Sequence, residues 1–147
     1  MEIDKGAPVW AEREVQIEAP IEVIWDVLAS VDDWPGWLAE SRSAVIAGPV
    51  APGATIRLKT RDPGTVKASI EIVEQPHALA WTGRKFGTST LQVWRLDRGD
   101  GGTRVYAGGS MEGFPAQLLR GPIRKKFGHF LEAWLRDMKA EAERRAS

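Results

Sequence analysis

The 147-residue chain has no cysteine, which excludes a disulfide framework, a thiolate nucleophile and a cysteine-ligated metal. Histidine is nearly absent too, with only His77 and His129. His77 follows a proline in a turn, and His129 lies off the apolar stripe of its helix, so both read as surface residues. There is no H-E-x-x-H, paired-histidine or G-x-S-x-G spacing. No glycine-rich loop leads a strand into a helix to cradle a phosphate. No metal and no cofactor are therefore expected. An excess of either charge is missing as well: 20 Lys and Arg face 20 Asp and Glu. Nucleic acid is not expected as a partner, because a phosphate-reading domain usually carries a clear basic excess. No apolar run approaches the roughly 18 residues of a membrane-spanning helix. The start, M-E-I-D-K-G, lacks a basic-then-apolar leader pattern. The reading is a cytoplasmic protein with no membrane insertion.

What the chain does have is tryptophan, seven against a single tyrosine. Indole offers a broad apolar surface with one N–H that needs a partner when buried. The length suits one domain, 1–147, with a core at about 9–142. Residues 9–18 alternate as a first strand, with Val15 and Ile17 inward. Ala19-Pro20 opens a helix whose apolar face carries Ile21, Ile24, Trp25 and Leu28. Trp34-Pro35-Gly36-Trp37 forms a second short piece, with Pro-Gly fixing the bend.

From Ser43 the period switches to two. Segments 43–48, 54–60, 65–75, 78–84, 88–97 and 103–112 read as strands separated by turn-rich links, which implies an antiparallel meander. One face gathers Ile56, Leu58, Val66, Ala68, Ile70, Ile72, Leu79 and Trp81. It continues through Thr90, Gln92, Trp94, Leu96, Val105, Ala107, Gly109 and Met111. The other face is expected to be wet, with opposite charges pairing across neighbouring strands. Tyr106 is expected to point outward. After Phe114-Pro115 and a short apolar piece, a helix runs from Gly121-Pro122 to about Arg145. Its stripe is Ile123, Phe127, Phe130, Leu131, Trp134 and Met138. A curved sheet cannot touch a straight helix along its whole length, so a ligand cavity is expected between them.

Cavity candidates follow from the inward faces: Trp25, Trp37, Trp81, Trp94, Trp134, Phe127, Phe130 and Met111, with Thr90 and Gln92 as hydrogen-bonding groups. Phe86, in the turn R-K-F-G-T with Arg84 and Lys85, is expected to cover something, since an exposed Phe costs solubility. Catalytic candidates are weak. Arg13 shares a face with Ala11, Val15 and Ile17 and would need a partner or an anionic ligand there, unless it lies near the strand's open end or beside a bulge. Gln92 would orient a ligand oxygen. Glu112 faces outward unless Gly108-Gly109 forms a bulge, in which case it becomes the best general base.

Several motifs carry a resemblance across about residues 9–142. These are E-V-Q-I-E-A-P-I-E-V-I-W-D-V-L, then D-D-W-P-G-W, G-P-V-A-P-G-A-T-I and G-G-T-R-V. In this order the chain resembles the START-like (SRPBCC) superfamily, nearest its polyketide cyclase/dehydrase-like branch. The resemblance implies an α+β helix-grip fold: about seven antiparallel strands curved around a long C-terminal helix, with two short helices after the first strand. In that architecture Trp34 and Trp37 plug one end of the cavity, and Trp37 is the one expected to touch ligand. The turns at 60–65 and 84–88 sit where relatives carry gates.

The function implied is binding of a small hydrophobic or polycyclic aromatic ligand. An aromatase/cyclase-type enzyme that works by positioning is the alternative, and a co-chaperone-like interaction module is a third. An exposed edge strand leaves a homodimer open.

Overall fold

The inward positions of the strands share one face of a sheet that bends around the last helix. The computed structural model describes residues 1–62 and 64–147. The strands are β1 (Val9–Ile17), β2 (Ser41–Ile46), β3 (Thr55–Thr60), β4 (Thr65–Glu74), β5 (Ala78–Lys85), β6 (Thr88–Gly99) and β7 (Gly102–Glu112). They form one antiparallel sheet in the order β1-β7-β6-β5-β4-β3-β2. Between β1 and β2 run α1 (Ile21–Ala29) and a 3-10 helix (Val31–Gly36). A short α2 (Phe114–Leu118) follows β7, and α3 (Arg120–Ala146) closes the chain. This is the helix-grip arrangement that the motifs imply.

The register explains where the two faces go. Trp81, Gln92 and Gly109 are aligned across β5, β6 and β7, and the β6–β7 ladder runs without a break from Ser89–Glu112 to Gly99–Gly102. No bulge forms at Gly108-Gly109, so Glu112 faces outward with Ser110, while Met111 faces the helix. Strand β4 differs from expectation. The ladder shifts between Ile70 and Ile72, pairing Ile70 with Trp81 but Ile72 with Ala80 and Val73 with Leu79. The extra residue, Glu71, turns Ile72 to the outer face and brings Val73 onto the core.

The outer face also corrects two expectations. Arg57, Lys67 and Arg84 stand opposite one another, so like charges align where opposite ones were expected. Glu71 has no partner in β3 and instead accepts a hydrogen bond from the Thr82 hydroxyl (2.8 Å). This face is only partly wet, because the N-terminal residues cross it. Asp4 N–H donates to Ser110 Oγ (3.2 Å), and Arg95 donates to the Met1 carbonyl (3.0 Å). Tyr106 lies there too, donating its hydroxyl to Glu12 (2.7 Å). Burial first, and then that contact, push the phenol well above its ordinary value, and the same hydrogen bond lowers Glu12.

The far end of α3 is fixed by polar contacts. Asp137 accepts from the Ala39 N–H (3.0 Å), Glu143 accepts from the Glu18 N–H (2.8 Å), and Lys139 donates to the Gln16 carbonyl (2.9 Å). Glu141 accepts two hydrogen bonds from Arg144 and one from Arg145. Those contacts, Arg144 first, bring its carboxyl from 4.5 down to about 2. A carboxyl depressed on folding adds stability that is full above its unfolded value and is lost as the pH falls through its folded value. Glu141 should therefore contribute at neutral pH and lose its contribution between about 4.5 and about 2. Thermal unfolding across that range should show a shallower acid decline for Glu141→Gln than for the parent chain. Equal slopes would show that the arginine contacts do not persist in solution.

Candidate functional site: a cavity under the curved sheet

Helix α3 lies close along β1 and stands off from the middle strands. The gap is a cavity of about 400 Å³. That volume falls within the roughly 300–1,000 Å³ usual for small-molecule pockets. Its sheet wall carries Ile56 and Leu58 from β3, Val66 and Ala68 from β4, and Trp81 and Gly83 from β5. Strands β6 and β7 add Thr90, Gln92 and Met111, while Phe127 and Phe130 of α3 form the opposite wall. Trp34 closes the inner end. Gly109 has a packing role, since a Cβ there would collide with the Phe127 ring. Its missing side chain lets Phe127 lie down on the sheet.

The inner end is an aromatic plug. The Trp134 ring stands 4.8 Å from Trp34, 5.1 Å from Trp94 and 6.2 Å from Trp81, with Trp37 at 6.1 Å and Phe130 at 6.0 Å. Trp34 reaches its place because its indole N–H donates to the Leu28 carbonyl (3.0 Å), which ties the 3-10 helix to the end of α1. Pro35-Gly36 then turns the chain so that Trp37 approaches Trp134 edge-on. The two Trp around the Pro-Gly bend thus have separate tasks. Trp34 meets the cavity, and Trp37 backs the plug.

Trp37 was the ring expected to touch ligand, and it does not reach the cavity wall. Trp94 and Trp134 are fully buried in the plug, so they underlie the cavity without lining it. Trp25 belongs to the other end of the molecule, beside Gln75-Pro76, Glu22 and Arg98. Arg13 lies apart from the cavity as well. Its guanidinium rests against the backbone of Gly128 and pairs with Glu132 at 3.0 Å, on the rim where β1 meets α3. Glu112 is outside, as the unbroken register requires. Trp81, Phe86, Thr90, Gln92, Met111, Phe127 and Phe130 do lie against the cavity. Sequence reasoning left out Trp34 as a lining residue, and it left out Pro115, Ile123 and Lys126 at the mouth. Ile123 was legible as part of the helix stripe, but nothing local showed that the stripe's first turn overhangs an opening.

One polar group stands out. Gln92 is 5% exposed, and its amide Nε2 has no hydrogen-bond partner among the described residues. A buried amide donor without a partner costs about 1–3 kcal/mol. Gln92 is one of the residues that line the cavity, whose walls are otherwise mostly hydrocarbon, with Thr90 two residues away on the same face.

The mouth lies at the end of the sheet where the β3–β4 and β5–β6 turns meet the start of α3. Lys126 of α3 crosses it to Asp62 at 2.7 Å. Phe86 adopts a positive φ of 49° at the tip of its turn, with its ring against Gly64. Pro63, inside the 60–65 turn that was expected to gate the mouth, lies outside the described residues. His77 and His129 are both exposed, and no cluster of metal-ligating side chains occurs among the described residues.

The same architecture occurs in solved structures of low sequence identity. A hypothetical protein of Helicobacter pylori superposes with a TM-score of 0.84 at 18% identity, over 95% of this chain and 91% of its own. A START superfamily protein of Mycobacterium smegmatis gives 0.77 at 16%, over 92% of this chain and 97% of its own. The di-domain ARO/CYC protein StfQ from the steffimycin biosynthetic pathway gives 0.78 at 18%. It is covered over 51% of its length by 94% of this chain, so this chain spans about half of it. No curated protein matches the sequence. Residues 9–143 fit the profile of the polyketide cyclase / dehydrase and lipid transport proteins, and the chain belongs to that family.

Proposed function

We propose that this protein binds a small, flat, largely apolar molecule that carries one hydrogen-bond acceptor, with Gln92 Nε2 donating to that acceptor. The observation that carries the reading is the pairing of an apolar cavity of about 400 Å³ with a buried, partnerless amide donor on its wall. Aromatic walls favour a planar ligand, because Trp81, Phe127 and Phe130 present ring surfaces to it. The charged groups against the cavity are Asp62, Arg84, Lys85 and Lys126, all on the turns and helix start that form its mouth. The interior therefore offers orientation more than proton transfer. With no acid–base pair in the cavity interior among the described residues, binding is the first reading, and a cyclase-type enzyme that works by positioning alone is the second. An open cavity also weighs against a purely interaction-mediating role.

The test is native mass spectrometry of the purified protein beside an Ala68→Phe variant. Ala68 is buried on the cavity wall, so a phenyl ring there should fill cavity space, with a cooperative unfolding transition as the check that the variant is folded. The expected outcome is a small apolar molecule retained by, or readily loaded into, the parent chain and at least tenfold less in the variant. Equal loading of both chains would place the binding elsewhere.

A further inference from the structure

We propose that the rim of the cavity mouth is a docking surface for an anionic lipid bilayer. Six large hydrophobic side chains are exposed among the described residues, and four of them sit on this rim: Phe86 at 72%, Phe114 at 75%, Leu118 at 66% and Leu119 at 52%. They come from two segments that touch, because Gly113 packs against the Gly87 carbonyl and Pro115 lies beside Gly87. In α2, Phe114 and Leu118 are four residues apart and share a face, while Ala116 is buried beneath them. Exposed apolar groups gathered in one place mark an interaction site.

The charge on the same segments selects the partner. Residues 84–88 and 113–126 hold six of the twenty basic residues and none of the twenty acidic ones. In a chain of zero net charge, this concentrates positive potential around one opening. The carboxylate lining the mouth, Asp62, is taken up by Lys126. Arg84, Arg120 and Lys125 form no ion pair among the described residues. The apolar side chains protrude from a rim and do not form a groove, and α2 is a single short turn of five residues. That shape suits a fluid surface that closes around protruding rings, with phosphates taking the flanking cations. No helix of the described residues is long and apolar enough to cross a membrane, so the contact is peripheral. Docked this way, the mouth faces the lipid phase in which an apolar ligand partitions. That last point rests on the proposed cavity function, whereas the docking itself does not.

The experiment is co-sedimentation with vesicles of equimolar phosphatidylcholine and phosphatidylserine, beside vesicles of phosphatidylcholine alone. Binding is expected to the anionic vesicles only and to weaken with added salt. A double Arg120→Glu, Lys125→Glu variant should bind at least about 30-fold less, taking roughly 1 kcal/mol for each cation removed. A Phe114→Ser, Leu118→Ser variant should also lose binding, although all four side chains are exposed and the fold is unaffected. Arg57→Glu, on the outer face of the sheet, should bind normally. Gln92→Leu should bind vesicles normally too, which separates failure of the docking proposal from failure of the ligand proposal. Undiminished binding by both rim variants would overturn the docking proposal. So would failure to bind anionic vesicles, and the basic rim would then point to an acidic protein surface instead.

Discussion

Replacing Gln92 with Leu should make the ligand-free protein more stable and, at the same time, a poorer binder. The parent chain buries an amide donor that no described residue satisfies, and removing it relieves a cost of about 1–3 kcal/mol. Leu is close in size and joins a wall already built from Met111, Trp81 and Phe127. Urea or thermal unfolding of the empty protein should therefore shift upward. Ligands with a carbonyl or ether oxygen should bind about tenfold more weakly, the worth of one neutral hydrogen bond in a dry site. Purely hydrocarbon ligands should bind as well as before or better. A residue that costs stability and aids binding is the usual mark of a functional position. If Gln92→Leu destabilised the empty protein, the amide would have to be satisfied within the fold, and the ligand reading would lose its main support.

Trp134→Ala is expected to be the most damaging single substitution in the chain. Truncating a fully buried Trp typically costs about 3–5 kcal/mol. Trp134 also contacts five other rings, Trp34, Trp37, Trp81, Trp94 and Phe130, and such pairs add about 0.5–1.5 kcal/mol each beyond area. Against a total stability of roughly 5–15 kcal/mol, this loss leaves the fold marginal. Trp134→Phe separates ring packing from the indole N–H, which is itself buried without a partner among the described residues. The Phe variant should lose no more than about 1–2 kcal/mol and keep its ligand, because the plug backs the cavity without lining it. Loss of ligand from a stably folded Trp134→Phe protein would instead put Trp134 in direct contact with the bound molecule.

The fold was readable in the sequence because its signals were periodic and its turns explicit. Thr90, Gln92, Trp94 and Leu96 alternate without interruption, and β6 pairs with β7 without a bulge, so the inward positions came out in order. Strand β4 also alternates cleanly through Glu71, yet the chain inserts an extra residue there. No local pattern announces it, because a bulge answers to the curvature of the whole sheet. The same limit applies to charge. Arg57 and Lys67 each sit on a correct face, but only the register shows that they stand opposite one another.

The site was harder to read for a related reason. Inward direction was legible, whereas the choice between packed core and open cavity depends on how far α3 stands from each strand. Trp81 and Trp94 both point inward on adjacent strands, but Trp94 stands opposite Leu79, two residues along the strand from Trp81, and only Trp81 reaches the cavity. Trp34 and Trp37 flank the same Pro-Gly bend, and the hydrogen bond from Trp34 to Leu28 decides which one faces inward to the ligand space. The exposed Phe114 and Leu118 had no periodic signal, since α2 is too short to show one.

The central claim is that Gln92 orients a ligand inside this cavity. The most direct test is a titration of tryptophan fluorescence with a matched pair of planar molecules, fluorene and fluorenone, in the parent chain and in Gln92→Leu. Trp34 and Trp81 border the cavity, so an occupant should change their emission. The account predicts that the parent chain prefers the ketone by about tenfold relative to the hydrocarbon, and that the preference disappears in the variant. A preference that survives unchanged in Gln92→Leu, or no response of the parent chain to either molecule, would contradict it.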